Sequence, residues 1–295
     1  MQLLQRLSKE KKISLPKFLL FNTMYAAYMG SVAYGVSDMG SDVDIYGFGI
    51  PPKENIFPHL AGEIQGFGSQ IKRFEQWSEH HIKDDSSGKE YDITIFNIVK
   101  YFQLCMENNP NMIDSLFVPR NLILQSTAIS EHVRENRKLF LHKGAYHKFK
   151  GYAYSQLHKM RIKEPDPTSK RYESVQKYGY DLKFAYHIVR LLDECEQILV
   201  THDIDLQKNR EQLKSIRRGD WLLEQVEQHF VDKEKQLEEL YTKSDLRYSP
   251  DEKLIKNLLL ECLEMHYGSL EKAVTIEPEQ IKDIKKVLEI LSKYQ

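Results

Sequence analysis

Three aspartates are the residues of this chain best placed to do chemistry together. Asp42 and Asp44 stand two apart in SDVD at 41–44, and Asp92 lies in YDITIF at 91–96. In an extended strand, residues two apart share a face, so Asp42 and Asp44 point one way while Val43 and Ile45 point into a core. Two carboxylates side by side repel and raise each other's pKa unless a cation lies between them. A hard, oxygen-ligated divalent ion such as magnesium suits that position. Asp92 sits mid-strand, with Ile93 and Ile95 turned the other way. It supplies the further carboxylate that a two-ion site for in-line displacement needs. Taken alone, SDVD is more readily a solvated acidic pair at a strand end.

Upstream, Gly30-Ser31 closes an apolar and aromatic run from Phe18 to Met29 that reads as a buried strand. Glycine at such a turn permits positive φ and lets backbone approach a ligand. Exposed N–H groups and a hydroxyl there suit a phosphate.

Gly30-Ser31 followed ten residues on by SDVD resembles the signature of the DNA polymerase β nucleotidyltransferase superfamily. More narrowly, GSVAYGVSDMGSDVDIYG with Pro51-Pro52 downstream is similar to the RNA repair pathway DNA polymerase β family of nucleotidyltransferases. KYFQLCMENNPNMIDSL (100–116) and KYGYDLKFAYHIVRLL (177–192) fit the same family, so the resemblance covers roughly residues 20–220. It implies that Gly30, Ser31 and Ser41 hold the triphosphate of a nucleotide, ATP among the candidates. Asp42, Asp44 and Asp92 would bind two magnesium ions, with manganese as the substitute. The implied reaction transfers a nucleoside monophosphate to an acceptor hydroxyl, with an RNA end, tRNA included, as acceptor and pyrophosphate leaving. Two other readings stay open: transfer of AMP to a protein or small-molecule hydroxyl, as in the minimal nucleotidyltransferases of toxin–antitoxin pairs, and a non-catalytic nucleotide sensor.

Farther along, Lys183, His187 and Arg190 fall at i, i+4 and i+7, one stripe of a helix whose other side carries Phe184, Ile188 and Leu191. With the resemblance, that stripe reads as a nucleotide-binding wall gripping phosphates; without it, as a solvated face paired with Asp181 and Glu194. Lys177 is a lesser member of the set. Lys150, Tyr152, Tyr154, Lys159 and Arg161 interleave rings with cations in a manner compatible with single-stranded RNA, although tyrosines at helical spacing also serve as core. His80-His81, His142 and His147 lack the spacing of a metal site. Asp84-Asp85 read as turn formers.

These residues need a small α+β scaffold. Val43–Ile50 alternates and stops at Pro51-Pro52, a strand; Ile71–Ile82 and Tyr91–Phe96 flank a hairpin turn at DDSSGKE. From Ile98 the period changes to 3.6, and NPN at 109–111 breaks that helix. Residues 1–12 read as a short amphipathic helix. Further helices are expected at 145–161, 173–200, 205–216, 220–242, 250–267 and 277–294. The expected architecture is a nucleotidyltransferase core of mixed sheet and flanking helices over 1–125, then an α-helical domain over 126–295.

The bulk numbers agree with a folded, non-membrane chain. Its 295 residues are 41% apolar and 29% charged, and the longest early apolar stretch, Phe18–Tyr28, is too short and polar for a bilayer. The start MQLLQRLSKEKK has no secretory pattern, and Cys105, Cys195 and Cys262 stand apart as expected of inert buried thiols in a reducing, cytoplasmic compartment. Between Lys143 and Arg190 eleven Lys/Arg face four Asp/Glu, while the whole chain nets −1. A basic middle of that kind suits an anionic partner.

Overall fold

The two alternating stretches that carry the aspartates pair directly. In the computed structural model, which describes residues 2–38, 41–57, 63–66, 72–162, 167 and 170–268, they are β2 (Val43–Gly49) and β4 (Lys89–Asn97), joined in parallel with Asp44 opposite Asp92. Strands β1 (Thr23–Tyr28), β3 (Gln76–Asp84) and β5 (Ile123–Gln125) complete a mixed sheet of order β3-β4-β2-β1-β5, all its other pairs antiparallel.

Alternation gives the sheet two different faces. Val43, Ile45, Ile93 and Ile95 bury one face with Leu4 and Leu7 of α1 (Gln2–Lys9). Arg6 of that helix grips Asp84 at 2.7 Å, and Asp84 in turn accepts from Ser86 and Ser87 in the hairpin turn. The opposite face is apolar deep down, at Phe48 and Phe96, and ends in Asp44 and Asp92 at the mouth.

The expected strand from Phe18 begins instead as one helical turn, α2 (Leu19–Asn22), because Thr23 Oγ1 and Asn22 N bond back to Leu19 O and Phe18 O. Gly30 opens another single turn, α3 (Gly30–Ala33). After α4 (Lys53–Ile56) and the β3–β4 hairpin come α5 (Ile98–Met106) and α6 (Pro110–Phe117). Asn109 caps α6 with Pro110 in its first turn, so NPN starts a helix as well as ending one. β5 also had no period long enough to read.

Helices α7 (Ala128–Glu135), α8 (Gly144–Ile162), α9 (Lys170–Tyr178), α10 (Leu182–Thr201), α11 (Arg210–Arg218), α12 (Leu223–Lys243) and α13 (Glu252–Tyr267) follow. The single helix expected over 173–200 is two. Gly179, at φ +82°, ends α9, and the Asp181 side chain caps α10 by accepting from Lys183 N and Phe184 N. The helix expected over 205–216 starts only at Arg210. The one expected at 277–294, and Ile71 of the first hairpin strand, lie outside the described residues. One apolar cluster runs from Met24 of β1 to Cys262 of α13, passing residue 125 without a break. All three cysteines are buried and unbridged, and no helix among the described residues is long and apolar enough to cross a membrane.

Candidate active site

Where β1, β2 and β4 open beneath α10 there is a cleft of about 800 Å³. Asp42, Asp44 and Asp92 all line it, as do Gly30, Ser31, Ser41, Lys183 and His187. Asp44 is held by β2 and Asp92 by β4 in matching register; Asp42 stands just before β2 and is exposed. Gly30 has φ +59°, and a Cβ there would lie 2.0 Å from Asp44 Oδ2. The carboxylate therefore rests against the glycine itself, and Met29 N also donates to Asp44 O. Any other residue there would carry a Cβ onto that carboxylate at a positive φ.

The acid wall carries its own electrostatic signature. Burial pushes the Asp44 carboxyl above its ordinary value; the Asp92 and Asp42 charges add to this, and Lys183 and His80 oppose it. The same two carboxylates, Asp44 and Asp92, help raise the Tyr46 phenol, after burial. Asp92 is steadied by a bulge in β3: register shifts between Glu79 and Ile82, His81 takes φ +56°, and its N–H donates to Asp92 Oδ1 at 2.8 Å. His80 Nδ1 lies 3.6 Å from the same oxygen.

Across the cleft the wall is basic. Lys183, the second residue of α10, is exposed, and Arg171 of α9 and Arg217 of α11 join it. Arg217 reaches Asp38 Oδ2 at 2.5 Å and donates to Val36 O; Gln207 Nε2 donates to Ala33 O. The helical region thus props the backbone that follows Gly30. Ser41 Oγ donates to Asp38 Oδ1 at 2.8 Å, tying the far end of that loop to the same aspartate. Arg171 lies 3.7 Å from Asp181 and packs 5.0 Å from the Phe184 ring.

Two members of the expected stripe behave differently from Lys183. His187 is half-buried at the cleft. Burial and then the Arg190, Lys183, Arg171 and Arg217 charges hold its imidazole well below the ordinary value, so it stays neutral at pH 7. Arg190 does not reach the cleft. It is 4% exposed, bonded to Asp114 at 2.5 Å and Glu194 at 2.8 Å, with its guanidinium 4.2 Å from the Tyr34 ring centroid. Tyr34 OH donates to Asp114 Oδ2 at 2.8 Å, while Asp114 Oδ1 and Arg190 Nε find no hydrogen-bond partner among the described residues. Burial pushes both the Asp114 and Glu194 carboxyls up. The stripe dives into the protein after two turns because Tyr34 and α6 pack over it, so Arg190 braces the cleft from behind. Lys177 packs on Tyr178 and lies outside the cleft lining.

Arg171, Arg217 and Tyr34 escaped sequence reasoning, and His80 was weighed there only as a metal ligand. Gly179 followed by Asp181, a helix stop followed by a cap, was the available signal for the bend that brings Arg171 around. Nothing in spacing marks Arg217.

As a donor set, three carboxylates on one cleft suit a hard cation, and their mutual repulsion is what a cation relieves. As the side chains stand, no group of three or more His, Cys, Asp or Glu among the described residues is close enough to grip an ion, and Asp92 is engaged by His81 N. The fit therefore rests on donor chemistry and shared facing.

Acid on the sheet and base on the helices around a glycine turn is the layout of a nucleotidyltransferase-like protein. The chain belongs to the RNA repair pathway DNA polymerase beta family, whose match covers residues 1–272. It is 27% identical over 143 residues to an uncharacterized 38.9 kDa protein from the nrdC–mobD intergenic region of enterobacteria phage T4; the alignment takes in 48% of this chain but only 39% of that protein's length. A nucleotidyltransferase-like protein from Exiguobacterium sibiricum, solved by crystallography, overlaps 94% of this chain and 87% of its own at 10% identity and a TM-score of 0.29, too distant a superposition to argue from.

Proposed function

We propose that the cleft transfers a nucleoside monophosphate from a nucleoside triphosphate to the hydroxyl of an RNA end, tRNA ends included. The observation that carries this reading is the opposition of walls. Asp44 and Asp92 sit in register on parallel strands, facing Lys183, Arg171 and Arg217 across the cleft. A polyphosphate bridging an acidic wall through cations and a basic wall directly satisfies both, whereas a neutral ligand leaves one of them uncompensated.

Gly30 and Ser31 offer backbone and a hydroxyl to the phosphates, and Lys183 adds a charge-assisted bond. Arg217 and Arg171 exchange their acidic partners, the exposed Asp38 and the buried Asp181, for phosphate oxygens. Asp42, Asp44 and Asp92 would hold two magnesium ions, or manganese, whose charge offsets that of the triphosphate and favours loss of the attacking hydroxyl's proton. The acceptor oxygen bonds to the α-phosphorus, the bond to the bridging oxygen breaks, and pyrophosphate leaves. Little covalent work falls to the protein; positioning and electrostatics carry the rate.

Incubation with α-phosphate-labelled nucleotides, magnesium and either RNA or an RNA-free protein extract tests this. Label on RNA, lost in Asp44→Asn, supports the reading. Label on protein moves the acceptor to a side-chain hydroxyl, and intact nucleotide in both mixtures leaves a sensor.

A further inference from the structure

The outer face of α8 carries two stripes with different fates. His147, Lys150, Tyr154 and Arg161 turn toward α12. Lys150 meets Glu234 at 3.3 Å, Arg161 meets Glu227 at 2.8 Å, and the Tyr154 ring lies 6.5 Å from that of Phe230. Three of the five interleaved rings and cations seen in the sequence, Lys150, Tyr154 and Arg161, are therefore engaged by the neighbouring helix.

Lys148, Tyr152, Ser155 and Lys159 repeat at i, i+4, i+7 and i+11, a second narrow stripe. It runs along the other border of the buried row Ala145, Phe149, Ala153 and Leu157. Lys148 and Lys159 are exposed, and neither has an acidic partner among the described residues. Tyr152, between them, is 41% exposed. Its hydroxyl accepts from Asn109 Nδ2 at 3.4 Å, and Asn111, two residues on at the same end of α6, lines the cleft. The stripe thus passes the mouth of the site at Tyr152 and spans about 16 Å of the helix at its 1.5 Å rise.

A ring between two exposed cations, spaced along a few nucleotides' length, matches the base-and-phosphate repeat of a single strand. Resting on the reading of the cleft as acting on an RNA end, we propose that the acceptor strand docks on this edge of α8. Tyr152 stacks on a base, Lys148 and Lys159 contact phosphates, and the terminal hydroxyl is led past Asn111 into the cleft.

The test is anisotropy of a fluorescein-labelled, unstructured single-stranded RNA over a salt series, with thermal melting to confirm folding. The pair Lys148→Ala/Lys159→Ala lowers the slope of log affinity on log salt by about 1.4, at roughly 0.7 for each lost phosphate contact. Tyr152→Ala weakens binding about tenfold, and Tyr152→Phe, which keeps the ring, restores it. The KM for nucleotide stays unchanged throughout. Unchanged affinity and slope in the lysine and alanine variants overturn the docking surface; if label still reaches RNA, the cleft reading survives that result. Weakened RNA binding in the variants with label landing on protein does the reverse: the surface stands and the RNA-end acceptor falls.

Discussion

The cleft's two walls are built on different physics. On the sheet side, Asp44 and Asp92 are fixed by backbone: β2–β4 register sets one against the other, Gly30 lies against the first and His81 N–H holds the second. On the helical side, Lys183, Arg171 and Arg217 are long side chains from three separate helices. The two arginines rest on local acids, Asp181 and Asp38. The rigid wall holds charges that repel one another and calls for a cation; the adaptable wall holds charges already half-satisfied and ready to exchange partners. On the function proposed above, chemistry belongs to the first and grip to the second.

Substitutions sharpen or break that division. Asp44→Asn is expected to cost at least about 10²- to 10³-fold in transfer rate, measured with labelled nucleotide; a full-rate variant sinks the division altogether. Arg190→Ala strands Asp114 and Glu194 as buried, uncompensated acids. It should cost about 3–5 kcal/mol in denaturant unfolding, marking this end of α10 as scaffold, and unaltered stability would return Arg190 to the binding wall. Gly30→Ala forces a side chain into positive φ and against the Asp44 carboxylate. The expected cost is about 1–3 kcal/mol together with loss of transfer; a stable, active alanine variant would mean that the contact is dispensable. Lys183→Ala should raise nucleotide KM about tenfold and leave the melting temperature alone, and an unchanged KM removes it from the grip.

The smallest effect concerns pH in chelator. Burial raises the Asp44 pKa in the folded state. Its contribution thus favours the fold below the unfolded carboxylate value and is lost as pH rises through the folded one. Metal-free wild-type protein should therefore lose stability relative to Asp44→Asn as pH climbs from about 4 toward neutrality, read from melting curves. Parallel curves for the two proteins across that range would show Asp44 to be unstrained.

Legibility in the sequence follows the same division. A period of two assigns faces without ambiguity, so SDVD and YDITIF gave the acid wall, and Gly30 announced its turn. The helical stripe was half legible. Lys183 and His187 line the cleft as expected, but a stripe shows only which residues share a side, not how far along the helix that side stays open. Glu194, one turn after Arg190, was the local hint of an internal pair. Arg171 and Arg217 arrive through tertiary packing of α9 and α11, which no local period encodes. The start at Phe18 failed because apolar content marks burial and does not choose between helix and strand over a few residues.

The apolar cluster passing from β1 to α13 has a bearing on how a substrate is met. Floor and roof share one interior, so moving either as a rigid lid would open apolar surface to water. If the cleft takes a nucleotide as proposed, selection among bases would then fall mainly to the fit of a gap set in advance and to the tips of a few side chains.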